Sequence, residues 1–216
     1  IVETIEITIK SLNDKPIRTG PLAGQPLPTL VIAEDAHDPD DTSKGVSLGL
    51  ETVDYKPGLG EDEQSQVLNY VLTKLPDPSI GYRYNKDNVK ISSLGEEGKV
   101  QIANGIDGLK GLRFKPNEDV SGLTKLTYEV IDDGSSYGDD DQQKIQETIN
   151  ISIYSVNDAP ELETGDFSDL LVDEDSAFTS LGFNDLSFNP GGGTDESNQT
   201  LTYQINMLPT TEIGKV

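Results

Sequence analysis

Carboxylates dominate the chemistry this sequence can offer. Of its 216 residues, 39 are Asp or Glu and 16 are Lys or Arg, a formal charge of −23. The acids bunch at HDPDD (37–41) and GDDDQQ (138–143), and a carboxamide beside a carboxylate recurs in two NDxP motifs, Asn13–Pro16 and Asn157–Pro160. Oxygen donors at this density suit a hard cation. Calcium takes six to eight oxygens from carboxylates, amide carbonyls and backbone, so it is the cofactor to expect. For the two acidic bunches the competing reading is a solvated loop that only keeps the protein soluble.

Other chemistry has less support. Two carboxylates can cleave a glycosidic bond, but with so many acids some pair falls at any spacing, and the raised pKa of a general acid has no sequence mark. No G-x-S-x-G, H-E-x-x-H or P-loop pattern occurs. His37 is the single histidine and sits in a loop, which excludes a His-rich zinc site and most nucleophile–base pairs. GLG (58–60) and GGG (191–193) have no following Lys and read as turns. Tyr82 and Tyr84 of GYRY share one strand face with Arg83 opposite, suited to cross-strand packing or to stacking a sugar. The chain is expected not to be an enzyme.

The charge also limits the partners. A nucleic-acid backbone and an anionic membrane surface would both be repelled, and no apolar run is long enough to span a bilayer. Hydrophobic residues make up 33% of the chain, with no Trp and five Phe, which is lean for a folded protein. With no Cys, disulfides cannot supply the missing stability, and bound metal is the candidate source.

An internal repeat organises these residues. IVETIEITIKSLNDKP (1–16) and IQETINISIYSVNDAP (145–160) agree at 10 of 16 positions without a gap. SLGLETVDYKPGLGEDEQSQVLNYVLTKLP (47–76) and SLGFNDLSFNPGGGTDESNQTLTYQINMLP (180–209) agree at 13 of 30. The first copy has the longer loops. The expected division is therefore the last strand of a preceding repeat (1–13), one complete repeat (14–157) and the first part of the next (158–216), with Pro of each NDxP motif stiffening a boundary.

The elements between the motifs read as strands. Ile5, Ile7 and Ile9 alternate with polar residues, as do Ile149, Ile151 and Ile153. VLNYVL (67–72), LRFKP (112–116), LTYEVID (126–132) and LTYQI (201–205) are further β-rich runs, with Tyr70 and Tyr203 expected in the core. NKDN, GEEG, NGIDG, PNEDVSG and DDGSSYGDDD separate the strands as turns, and no helical stripe stands out. This pattern predicts an all-β sandwich.

LRFKPNEDVSGLTKLTYEVIDDG, followed by a strand and VNDAP, resembles the cadherin-like and Ig-like tandem repeats of large secreted, RTX-type bacterial surface adhesins. The resemblance covers the whole chain. It implies Greek-key sandwiches arranged as a calcium-stiffened stalk, an extracellular location, and a role in cell adhesion or biofilm attachment. Neighbouring repeats of the same polypeptide would be the partners. A module recognising a glycan or a partner protein is the alternative. By similarity to cadherin calcium sites, Glu34 and Glu174 match the first-strand Glu, and Asn13, Asp14, Asn157 and Asp158 match the linker. Asp62 and Asp195 match the first Asp of an Asp-x-Asp, and Asp132 matches a late-strand Asp. Glu174, Asn157, Asp158, Asp132 and Asp195 would form one junction set. The chain departs from the pattern at Gln64 and Ser197, where the pair's second Asp is missing, and has no counterpart of Asp-Arg-Glu. One or two ions per junction follow from that.

Overall fold

The computed structural model describes residues 2–207, which divide into two compact units between Ser155 and Val156. In the first unit the strands follow one another as β1 (Ile17–Thr19), β2 (Leu30–Ala33), β3 (Val46–Ser47), β4 (Asp54–Lys56), β5 (Asn69–Lys74), β6 (Gly81–Tyr84), β7 (Lys90–Ile91) and β8 (Val100–Gln101). A short helix α1 (Gly105–Lys110) precedes β9 (Arg113–Pro116), β10 (Gly122–Ile131), β11 (Ser135–Ser136), β12 (Asp139–Asp140) and β13 (Lys144–Tyr154). The architecture is all-β. A five-stranded sheet in the order β2-β13-β10-β5-β8 and a four-stranded sheet in the order β3-β9-β6-β7 share one core, as in a β-sandwich. Two-stranded pairs β1-β4 and β11-β12 complete the unit.

The long strands β10 and β13 form because apolar, mostly β-branched or aromatic residues alternate with polar ones along their central parts. Ile149, Ile151 and Ile153 point inward from β13, and Leu126, Tyr128 and Val130 point inward from β10. Their antiparallel register runs from Ile131 opposite Lys144 to Gly122 opposite Ile153. β2 adds to β13 in parallel, with Leu30 opposite Ile151. Phe114 of β9 meets this layer from the other sheet and is fully buried. Two tyrosines bring hydroxyls into the core and satisfy each other, Tyr55 Oη lying 2.7 Å from Tyr128 Oη.

NGIDG, expected as a turn, begins α1. Asn104 and Gly105 both take positive φ (64° and 57°), and the single turn that follows buries Leu109 beneath the sheets. Six residues are too few to display a helical stripe, so nothing in the sequence marks them.

The second unit pairs β14 (Glu161–Thr164) with β15 (Ser187–Asn189) after a 3₁₀ turn at Phe183–Asp185. Phe167, Phe183, Phe188 and Tyr203 cluster with ring centroids 5.7 to 6.4 Å apart. Tyr203 does not repeat the burial of Tyr70. It is exposed, and LTYQI forms no strand among the described residues, whereas Tyr70 is buried on β5, between β10 and β8 in the five-stranded sheet. The described part of the first segment, residues 2–9, is likewise in no sheet, and its isoleucines face solvent. No helix among the described residues is long and apolar enough to cross a membrane.

A candidate cation site in each unit

The end of β10 delivers Asp132 into a fully buried position beside the segment that precedes β1. One of its oxygens, Oδ1, accepts hydrogen bonds from Asn13 Nδ2 (2.8 Å), Gln143 N (2.9 Å) and Gly134 N (3.1 Å). The other, Oδ2, is buried and has no partner. Asn13 is held further by donating its backbone N–H to Ser136 Oγ (2.9 Å) and by accepting from Gln66 Nε2 at Oδ1 (2.8 Å).

Asp14 continues the site. Its backbone N–H donates to Glu63 Oε1 at 3.0 Å, and Glu63 is only 2% exposed. Glu63 Oε2 and Gln66 Oε1 are buried without partners, as Asp132 Oδ2 is. Gly58 makes room for this approach, since a Cβ there would stand 2.8 Å from Glu63 Oε2 and 2.9 Å from Asp14 Cβ. The GLG turn is thus a close-packing device beside a carboxylate.

The second unit repeats the arrangement. Asp158 N–H donates to Glu196 Oε1 (2.6 Å), and Gln199 Nε2 donates to Asn157 Oδ1 (3.0 Å). Asp158 Oδ2 and Glu196 Oε2 are buried and unpartnered. Gly191, the counterpart of Gly58, has φ 144° and lies so close to Glu196 Oε2 that a side chain would collide with it. The D-E-x-x-Q segment makes the same backbone bond in both, Gln66 N donating to Glu63 O (3.0 Å) and Gln199 N donating to Glu196 O (2.8 Å).

Each unpartnered atom in these sites is an oxygen acceptor, and among the described residues no Lys or Arg forms an ion pair with Glu63, Asp132, Asp158 or Glu196. Other poorly exposed carboxylates are treated differently. Glu129 has Lys144 at 2.6 Å and Lys99 at 3.0 Å, and Glu147 has Arg18 at 2.7 Å. Burying an unpaired carboxylate costs several kcal/mol, so these donor sets fit a cation, and all-oxygen ligands fit calcium.

The expected ligands are distributed as follows. Asn13, Asp14 and Asp132 meet in the first unit, and Asn157 and Asp158 lie in the second site. Asp62 and Asp195 are exposed, and the buried carboxylate is the next residue in each copy, Glu63 or Glu196. Both glutamates and both Gln66 and Gln199 are identical between the copies, a signal already present in the self-alignment. Glu34 is buried but lies at the other end of the first unit, its N–H donating to Tyr154 O (2.9 Å) at the end of β13 remote from Asp132. There Asp119 N donates to Asp35 Oδ1 at 3.1 Å. Asp132 therefore groups with Asn13 and Asp14, whereas the resemblance places it in one set with Asn157, Asp158, Glu174 and Asp195. Glu174 is exposed in a turn that copies the Glu34–Asp35 bend, Asp175 and Asp35 having φ 62° and 61°.

The two acidic bunches have separate fates. In HDPDD, Asp38 is held below its ordinary pKa first by the Asp40 amide and also by Arg113. Asp41 is lowered to about 2, chiefly by the Ser43 hydroxyl and by Lys44. These carboxylates already have donors. GDDDQQ borders the cation site, since Asp141 O accepts from Asn13 Nδ2 (2.6 Å) and its carboxylate accepts from Ser136 Oγ (2.6 Å) and Gln143 Nε2 (2.8 Å). Tyr82 and Tyr84 do share the outer face of β6, but Lys90 Nζ sits 2.9 Å from the Tyr82 ring centroid and covers the ring.

Compared with family models, curated proteins and solved structures, the chain matches none of them.

Proposed function

We propose that the chain is a non-catalytic, calcium-stiffened structural repeat, a stalk segment of a secreted bacterial cell-surface adhesin. The observation that carries the reading is the recurrence of buried, unpartnered carboxylate oxygens around Asn13–Asp14 and again around Asn157–Asp158. Each site fastens the segment at the start of a repeat to that repeat's own body. Calcium would be held by Glu63 and Asp132, with Gln66 able to add its carbonyl, and by Asp158 and Glu196 in the second unit. It would supply the positive charge that their unpaired oxygens require. A clamped entry segment gives each repeat a fixed start on its own body, which suits a spacer. Extracellular calcium modules bind at about 10⁻⁴–10⁻³ M, a range that external fluids saturate and cytosol does not.

Calorimetric titration of the chelator-treated chain tests the metal half of the reading, with two saturable sites in that range expected. Absence of calcium binding at 10 mM, roughly ten times the weaker limit, would remove it. A glycan array probed with the calcium-loaded chain tests the stalk half. No reproducible binding is expected, and a specific glycan signal would transfer the role to ligand recognition.

A further inference from the structure

The second unit exposes residues on which the first unit closes its core. Phe183, Leu186, Phe188, Tyr203 and Ile205 line one apolar groove of the second unit. Through the internal repeat they stand where Leu50, Val53, Tyr55, Tyr70 and Leu72 stand in the first. Those five are buried in one cluster with Ile149, Ile151 and Ile153 of β13. In the second unit Phe183, Tyr203 and Ile205 are 52%, 70% and 62% exposed.

The chain also carries a copy of the strand that covers this surface. Residues 1–16 repeat 145–160, so Ile5, Ile7 and Ile9 stand for Ile149, Ile151 and Ile153. They face solvent in a segment that joins no sheet among the described residues. β13 runs parallel to β2, with Leu30 opposite Ile151 and Ile32 opposite Ile153. Counting back from the Glu174–Asp175 bend, which copies Glu34–Asp35, Leu170 and Val172 stand for Leu30 and Ile32. Both are exposed and lie in no strand.

The donor and the acceptor belong to different copies. Ile9 is four residues from Asn13, which is bonded to Asp132 near the start of β13, and four residues reach about 14 Å at most. The second unit follows Tyr154, at the other end of β13, whose 11 residues run about 36 Å. We propose that residues 2–9 of one copy add as a strand to the second unit of another, with Ile7 opposite Leu170 and Ile9 opposite Val172. Main-chain hydrogen bonds supply the affinity of such an addition, and the alternate isoleucines on the aromatic groove fix its register. A strand of this length covers on the order of 1,000 Å², the lower limit for a specific interface. Each copy gives one strand and receives one, so the contacts close into a ring or continue as a chain. In a closed pair the two contacts together cover about 2,000 Å², the area of a stable dimer. The acids of the cation sites take no part, so this association stands or falls separately from calcium.

Sedimentation of the whole chain at fixed calcium tests the proposal. At about 100 µM, above the micromolar dissociation constants of the weaker interfaces of this area, a mass well above 23.4 kDa is expected. The double variant Ile5→Asp, Ile7→Asp should sediment as a monomer, and it leaves the first unit's core untouched because both side chains are exposed. The register is read by cross-linking, since the chain has no cysteine of its own. Oxidising a mixture of Ile7→Cys and Leu170→Cys chains should yield a disulfide-linked pair. Replacing the first by Glu6→Cys, whose side chain points to the opposite face of the strand, should slow the linkage about ten-fold or more. A 23.4 kDa monomer at the highest concentration, association that persists in the aspartate variant, or equal linkage through Ile7→Cys and Glu6→Cys would overturn the proposal.

Discussion

Glu63 and Glu129 are both acidic side chains with almost no exposure, and they have opposite surroundings. Glu129 is answered by two lysines, while Glu63 is answered on one oxygen by an amide and on the other by nothing. The substitution Glu63→Gln keeps an acceptor for the Asp14 amide and removes the charge. In chelator the variant should be at least as stable as the parent, because an uncompensated buried charge has been deleted. Its calcium affinity should fall ten-fold or more, readable by calorimetry, and unchanged affinity would show that Glu63 is no ligand. Glu129 provides the pH counterpart. Burial alone would raise its pKa, but Lys144 and Lys99 more than offset this and leave it below the ordinary 4.5. A lowered folded-state pKa contributes stability that is complete above the unfolded value and disappears as pH falls through the folded one. The gap in stability between the parent and Glu129→Gln should therefore be about 1 kcal/mol at pH 7, since both lysines are partly exposed. It should close below pH 4.5, and denaturant melts across that range would check it.

At the scale of elements, the repeated sequence gives the same residues two environments. Ile149, Ile151 and Ile153 of β13 are 1%, 1% and 4% exposed, while their counterparts Ile5, Ile7 and Ile9 are 86%, 81% and 91% exposed. Alternation marks a segment as able to form a strand, but pairing decides whether it buries anything, and β13 lies between β10 and β2. Ile151→Ala should accordingly destabilise the first unit by about 2–5 kcal/mol, and Ile7→Ala should change it by less than about 0.5 kcal/mol. Urea unfolding of the two variants separates the cases. The same distinction governs what the sequence reveals. The strands around Tyr70, Phe114 and Tyr128 were legible from their period and their turns. The helix at Gly105–Lys110 was not, because its anchors, Leu109 and the partly buried Ile106, are too few in six residues to show a helical period. At the site, Asn13, Asp14 and Asp132 were legible by resemblance, whereas Glu63 and Glu196 were obscured by the acidic residue just before each. Which of two adjacent carboxylates turns inward depends on the backbone path past Gly58 or Gly191, and composition carries no record of that path.

For the whole molecule, the proposal turns on whether calcium would act as a bound ligand or only as a general shield for 23 excess negative charges. The two effects differ in magnitude and in form. Screening depends on ionic strength, with a Debye length of about 8 Å at 0.15 M, so sodium chloride should relieve diffuse repulsion as well as calcium does. A ligand that binds only the folded state adds RT ln(1 + [L]/Kd). At 10 mM calcium and a Kd of about 10⁻⁴–10⁻³ M this comes to about 1.4–2.7 kcal/mol per site, or about 3–10 °C in melting temperature. The chain in 0.15 M sodium chloride should thus gain several degrees from 10 mM calcium and much less from 10 mM magnesium, which dehydrates reluctantly and demands a stricter octahedron. In the double variant Glu63→Gln, Glu196→Gln most of the calcium gain should disappear while the response to sodium chloride remains. If magnesium or extra sodium chloride reproduced the whole calcium effect, the buried carboxylates would be part of a diffuse anionic field and the proposed stalk would have no ion to stiffen it.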